Sequence, residues 1–123
     1  MKNTIYNIVC ALFGLGMIIF GTNIFMQFLP MPKMSPEQQE LFAAFGKIGW
    51  LMPLVGLAEI LGGILVLFPK TRALGALVIF PIILGILAHH VHHDPEGIGA
   101  GVVFAIVELW MLMENRKKYT PLF

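Results

Sequence analysis

Residues 48–68 have the sequence IGWLMPLVGLAEILGGILVLF, in which Glu59 is the only charged side chain. At about 1.5 Å per residue, a helix of this length crosses the roughly 30 Å hydrocarbon layer of a bilayer. Lipid cannot hydrogen-bond to a peptide backbone, so a segment that crosses it forms a helix unless it belongs to a closed barrel. The chain lacks the alternating apolar and polar pattern of barrel strands. Residues 48–68 therefore predict a transmembrane helix.

Three other stretches of the chain are also predominantly apolar, at about residues 4–29, 73–92 and 97–114. Proline and charged residues mark the connections between the stretches, at 30–36, 69–72 and 94–97. The four stretches predict an all-α integral membrane protein, an antiparallel bundle of four helices that forms a single domain over residues 1–123. Because the first stretch is longer than the roughly 7–15 apolar residues of a signal-peptide core, we expect it to be retained.

The composition supports a membrane location and excludes several classes of function. Of the 123 residues, 58% are hydrophobic and 12% are charged. Soluble domains have about 45–50% apolar and about 25% charged residues. The net charge of +1 gives no indication of nucleic-acid binding. Cys10 is the only cysteine, which excludes an internal disulfide or a CxxC redox pair, so we expect it to be a packing residue.

The first connection contains a predicted helix of its own, at about residues 35–46. Ser35 is a favourable N-cap, and Pro36 suits the first helical position. The apolar side chains that follow recur on one face, at Leu41, Phe42 and Phe45. An amphipathic helix of this kind either lies on the membrane surface or folds over the mouth of the bundle. Two roles stay open, a lid that shields the helix ends and a gate for a substrate.

The basic residues divide unequally between the two sides of the predicted bundle. With four transmembrane helices, both termini and the second connection share the side that holds six basic residues: Lys2, Lys70, Arg72, Arg116, Lys117 and Lys118. The opposite side holds two, Lys33 and Lys47. Because Lys and Arg concentrate in cytoplasmic loops, this asymmetry predicts that both termini are cytoplasmic and that the helix at 35–46 is extracytoplasmic.

Two glutamates lie in the middle of predicted transmembrane helices, Glu59 in the second and Glu108 in the fourth. Both lie about ten residues, or roughly 15 Å, from the outer ends of helices that run in the same direction, so we expect them to share a depth. A carboxylate at mid-bilayer is costly and normally marks function. Of two acids in one apolar site, at least one is expected to be uncharged. Such a pair suits proton transfer or a hydrogen bond to a quinone. The alternative is a neutral acid that bonds to a helix carbonyl and fixes packing.

A histidine cluster ends the third stretch, at His89, His90, His92 and His93. The spacing brings His89, His92 and His93 to one helix face, where imidazoles can bind a divalent metal, and Asp94 or Glu96 could add a ligand. The alternative is a polar segment at the membrane interface beside a turn. In a third interpretation, His89 or His90 joins Asn23 in a polar vestibule above the two glutamates.

The sequence resembles the DoxX family of small bacterial membrane proteins with four transmembrane helices. The similar segments cover nearly the whole chain and include 49–65, the histidines His89 and His90, 104–108 and 118–122. The resemblance implies a bacterial inner-membrane bundle related to subunits of membrane redox systems, such as the small subunit of thiosulfate:quinone oxidoreductase. Related families include thiol-redox membrane proteins, whose paired cysteines this chain lacks, and a receptor-assembly chaperone.

The leading hypothesis is a DoxX-like subunit or accessory of a redox or quinone-linked system that binds a small ligand between its helices. The candidate ligand or proton residues are Glu59, Glu108, His89, His90 and Asn23, with no catalytic residue assigned and no stand-alone enzyme expected. A second hypothesis is a non-catalytic assembly partner or chaperone for a larger membrane protein. A third is a carrier of metal or protons that uses the histidines. The glycine-rich helix faces also permit a homo-oligomer.

Overall fold

The computed structural model describes residues 2–27, 35–93 and 95–122. These residues form six helices: α1 (Lys2–Met26), α2 (Pro36–Ile48), α3 (Leu51–Leu67), α4 (Arg72–His93), α5 (Ile98–Glu114) and α6 (Arg116–Tyr119). Short 3₁₀ turns occur at Pro95–Gly97 and Thr120–Leu122. No strand occurs in any of the three described ranges, which confirms the prediction of an all-helical chain.

Two of these helices are long and apolar enough to cross a membrane, α1 and α4. Two further segments qualify only if each joins helices across a sharp bend. One is α2 with α3, which meet at 87°, and the other is α5 with residues 116–122, which meet at 69°. By length and composition the chain therefore has two helices that could span a membrane, or up to four when each bent pair counts as one.

Helices α1 to α5 each lie close to the stretch that predicted them, whereas α6 follows the last predicted stretch. Helix α1 ends at Met26, and the last two residues of the predicted 4–29 lie outside the described residues. Helix α2 begins after Ser35, whose side chain accepts a hydrogen bond from the Gln38 backbone N–H at 3.2 Å. It ends at Gly49, which has a φ of +81°, a conformation that glycine adopts without steric cost.

Helices α1 and α3 form the closest contact in the structure, along a seam of four glycines. Gly14 lies against Gly63, and Gly21 lies against Gly56, so the two helices run antiparallel. A Cβ atom added at Gly14 would lie 2.7 Å from the Gly63 carbonyl oxygen, and one at Gly21 would lie 2.7 Å from that of Gly56. Because real Cβ atoms do not approach so closely, only glycine permits this helix spacing.

The remaining contacts join α3 to α4, α4 to α5, and, less extensively, α5 to α1. The largest fully buried side chains of the described residues are Met17, Ile79, Met111, Val66 and Cys10. Large apolar side chains also face outward, and Leu12 and Leu57 are 65% and 60% exposed. Helices that are apolar both toward their neighbours and away from them are suited to apolar surroundings.

Candidate functional site

Glu59 is a buried acid in the middle of α3. Its side chain is 7% exposed, and Oε2 has no hydrogen-bond partner among the described residues. Its β-carbon packs beside Gly21, where the glycine seam brings α1 close to α3. Leaving a buried polar atom unpaired costs roughly 1–3 kcal/mol, so an unpartnered carboxyl oxygen needs an explanation other than packing.

Glu59 lines a cavity of about 460 Å³ between α2, α3 and α4, which we call the Glu59 cavity. Its other polar lining side chains are His89 and His90. The remaining walls are apolar: Ile24, Phe42, Phe45, Leu51, Met52, Val55, Pro81, Ile82, Gly85 and Ile86. Mostly apolar cavities of roughly 300–1,000 Å³ with a few polar groups are typical of small-molecule sites.

A second, smaller cavity of about 150 Å³ lies on the other side of Glu59 and is lined by residues of α1 and α5. Glu59, Ile86 and His90 line both cavities and therefore form the wall between them. Two of these three shared residues, Glu59 and His90, have polar side chains.

Helix α2 covers the Glu59 cavity. Phe42 and Phe45 line the cavity, and the Phe42 ring lies 5.7 Å from the His89 ring, centroid to centroid. The Gln38 amide nitrogen donates a 3.4 Å hydrogen bond to the carbonyl oxygen of His93 at the end of α4. Two of the three residues of the predicted apolar face, Phe42 and Phe45, thus line the cavity.

The histidine cluster divides between the cavity and its surroundings. His89 and His90 line the Glu59 cavity, whereas His92 and His93 do not. The ring centroids of His89 and His93 are 5.6 Å apart. Within 2–27, 35–93 and 95–122, no three His, Cys, Asp or Glu side chains are grouped so that they could hold a metal. The structure therefore does not assemble the predicted set of His89, His92 and His93, and Asp94 lies outside the described residues.

Glu108 is also buried, but it lines neither cavity that Glu59 lines. It is 2% exposed, and neither carboxyl oxygen has a hydrogen-bond partner in the described part of the chain. The α5 residues beside Glu59 are 100, 101 and 104, which precede Glu108 by one to two helical turns. Neither of these two cavities contains both carboxyl groups, and the pairing of Glu59 with Glu108 stays a prediction. Asn23 lines neither cavity either, which leaves Glu59, His89 and His90 as the assembled candidates.

Arg72 is a buried residue that the sequence identified only as one of the basic residues that predict membrane topology. It is the first residue of α4, and its side chain is 3% exposed. Its Nε donates to the Val66 carbonyl oxygen and its Nη1 to Asn7 Oδ1, both at 2.8 Å. The guanidinium carbon lies 5.2 Å from the centroid of the Tyr6 ring, within the range of cation–π attraction.

A cavity of about 280 Å³ surrounds this arginine, and we call it the Arg72 cavity. It is lined by Asn3, Tyr6, Asn7, Pro69, Arg72, Glu114 and Asn115. Asn115 is buried and donates to the Met111 carbonyl oxygen at 2.7 Å and to the Tyr6 hydroxyl at 3.2 Å. Nearby, the Tyr119 hydroxyl donates to the Ala73 carbonyl oxygen at 2.7 Å, and burial raises the pKa of this phenol. The sequence feature that could have indicated this cavity is the occurrence of polar residues at the same end of three predicted helices.

Comparisons with known proteins give little functional guidance. No family model matches the sequence, and no solved structure matches it. The chain is similar to the uncharacterized protein YwoB of Bacillus subtilis (strain 168), with 32% identity over 69 residues. This match covers 56% of the chain and 45% of YwoB, so the chain spans less than half the length of this relative.

Proposed function

We propose that the chain is a DoxX-like membrane protein whose helices α1, α3, α4 and α5 each cross the bacterial inner membrane. Both termini are cytoplasmic in this proposal, and α2 lies on the outer side. Support comes from the apolar outer surfaces of these helices and from the basic residues at one end, at 70, 72 and 116–118. The segment that resembles the DoxX family, 49–65, contributes most of α3 and includes Glu59.

We further propose that the Glu59 cavity binds a small, largely apolar molecule with a hydrogen-bonding head group, of which a quinone is the leading example. The observation that carries this proposal is the unpartnered Oε2 of Glu59 beside a 460 Å³ cavity with apolar walls. A carbonyl or hydroxyl group on the ligand would give this oxygen the partner that the protein does not provide.

The site would serve a redox or quinone-linked membrane system as a subunit or accessory. Glu59 would hold a proton beside the ligand head group and exchange it with the ligand. His90 lines both cavities and would accept or donate that proton on either side. The partner protein would supply the electrons. In this arrangement, α2 acts as the cover under which the head group loses its contact with water.

The test is binding of decylubiquinone to the purified full-length protein in detergent, measured by isothermal titration calorimetry. Gly85 lines the cavity, and a Cβ added there meets no atom within 4 Å, so Gly85→Leu is chosen to place an apolar side chain at the cavity wall. We expect it to weaken binding by at least about tenfold, because the side chain occupies the ligand volume. Gly99→Leu is the matched control, since Gly99 has equally open surroundings and lines neither cavity.

Glu59→Gln tests the polar contact while keeping the side-chain size. We expect roughly tenfold weaker binding, because the carboxyl group is lost from the hydrogen bond. Glu108→Gln is its control, a buried acid outside the cavity, and should bind as the wild type does. Equal binding by wild type and Gly85→Leu would contradict the proposal. No binding by the wild type would do so too and would favour the assembly-partner alternative.

A further inference from the structure

The buried charge of Arg72 has only neutral partners among the described residues. Its three hydrogen bonds go to the carbonyl oxygens of Val66 and Leu67 and to the amide oxygen of Asn7. No carboxylate forms an ion pair with it in the ranges that the structure describes. A guanidinium has five N–H donors, so two remain for another acceptor. Burying a cation is costly unless it is paired, and an anion in the adjacent cavity would pair it.

We propose that the Arg72 cavity binds a phosphate group, with Arg72 as its charged contact. Guanidinium groups bind phosphate oxygens through paired N–H donors, so the chemistry of Arg72, which lines the cavity, fits this anion. Asn7 also lines the cavity, and its Oδ1 accepts a hydrogen bond from Arg72. The inference goes beyond the proposed function and does not depend on a ligand in the Glu59 cavity.

One carboxylate lines the same cavity and opposes an anion. Glu114 is exposed, and its Oε1 accepts a 3.3 Å hydrogen bond from Trp110 Nε1, which holds it at the rim beside the indole ring. Removing this charge is therefore expected to strengthen phosphate binding. Glu114 therefore tests the direction of the change in phosphate affinity as well as its size.

The phosphate could come from the headgroup of an anionic lipid or from a free phosphate in solution. The surroundings favour lipid, because Phe68 beside the cavity is 59% exposed and Lys70 follows it in the connection. Basic pockets at the ends of membrane helices commonly bind anionic headgroups. Both sources require the same contact with Arg72, and the experiment separates them.

Native mass spectrometry of the full-length protein, titrated with dioleoylphosphatidylglycerol in detergent, measures binding directly. We expect Arg72→Gln to weaken lipid binding by at least about tenfold, because it loses a charged hydrogen bond to phosphate. Arg116→Gln removes the same charge from an exposed arginine that does not line the cavity, and it should retain the wild-type affinity. Equal losses in the two variants would mean general attraction to a basic surface and would overturn the proposal.

Asn7→Asp guards against the case in which Arg72→Gln fails to fold. It places a carboxylate where Asn7 now accepts from Arg72, so the arginine stays paired and buried while its charge is neutralised. We expect a similar loss of lipid binding with an unchanged circular dichroism spectrum, and about threefold tighter binding for Glu114→Gln. Retained affinity in Asn7→Asp overturns the proposal. Inorganic phosphate should displace the lipid if free phosphate suffices, and should leave it bound if the lipid is the occupant.

Discussion

The Glu59 cavity and the Arg72 cavity share no lining residue, and they satisfy their polar groups in opposite ways. In the Glu59 cavity an acid with an unpartnered oxygen faces apolar walls, and α2 covers the mouth. In the Arg72 cavity, the polar side chains have hydrogen-bond partners. Arg72 and Asn115 each donate to a backbone carbonyl oxygen, and Asn115 also donates to the Tyr6 hydroxyl. The first holds an acid with an unpartnered oxygen, whereas the second holds a hydrogen-bonded arginine whose partners among the described residues are all neutral. This difference is why we assign a largely apolar ligand to one and an anion to the other.

The glycine seam between α1 and α3 lines neither cavity, but it joins the helices that carry Glu59 and Asn7. Gly21 packs beside Glu59, whereas Gly14 lies one heptad closer to the end of α1 that carries Asn7. A change in the spacing of α1 and α3 should therefore alter both cavities together, while a change within one cavity should leave the other intact.

The largest effect is expected for Gly63→Ala, which should disturb both cavities at once. The added Cβ would lie 2.6 Å from the backbone oxygen of Gly14, so one helix has to move. We expect a loss of about 2–3 kcal/mol in the free energy of unfolding in detergent, and weaker binding at both cavities. Circular dichroism during chemical denaturation measures the first, and the two titrations measure the second.

Gly99→Ala is the matched control for this substitution, because a Cβ at Gly99 meets no atom within 4 Å. It should change the free energy of unfolding by less than about 0.5 kcal/mol. If Gly63→Ala proved as harmless as Gly99→Ala, the close approach of α1 and α3 could not be what holds the two cavities in place.

A smaller effect, confined to one cavity, is expected for Asn115→Ala. It removes the donor to Met111 and to the Tyr6 hydroxyl, which should cost about 1–2 kcal/mol of unfolding free energy. Decylubiquinone binding should not change, because Asn115 lines only the Arg72 cavity of the two. Asn3→Ala, an exposed asparagine of the same cavity, should have little effect on stability. A parallel loss of decylubiquinone binding in Asn115→Ala would show that the two cavities are not independent.

The helices could be predicted from the sequence because the signals for them are local. Apolar length gave α3 and α4 to within a few residues, since Leu51–Leu67 lies within the predicted 48–68 and Arg72–His93 nearly equals 73–92. The N-cap of α2 was also evident, because Ser35 and its partner Gln38 are only three positions apart in the chain.

The sites were less predictable because they depend on contacts between distant residues. Glu59 could be singled out as an acid within an apolar helix, but its position relative to Glu108 depends on how α3 and α5 turn toward their neighbours. Arg72 was the larger omission. Its burial depends on Asn7, which is 65 residues away in the sequence, and an arginine beside a helix end is normally interpreted as solvated.

The smallest effect is expected at the cover of the Glu59 cavity, for Gln38→Ala. The 3.4 Å hydrogen bond from Gln38 to the His93 carbonyl oxygen is long and exposed, so its loss should cost less than about 0.5 kcal/mol. None of the residues of α2 is buried, which predicts that its amide hydrogens exchange faster than those of α3. Hydrogen–deuterium exchange should show α2 slightly faster still in Gln38→Ala.

The control for this variant is Glu40→Ala, an exposed residue of the same helix. If Phe42 and Phe45 hold α2 over the cavity by packing alone, both variants should bind decylubiquinone within about twofold of the wild type. A marked loss of binding in Gln38→Ala alone would instead assign the closure to its hydrogen bond with α4. The Glu59 cavity would then resemble the Arg72 cavity, with a polar contact that determines its shape.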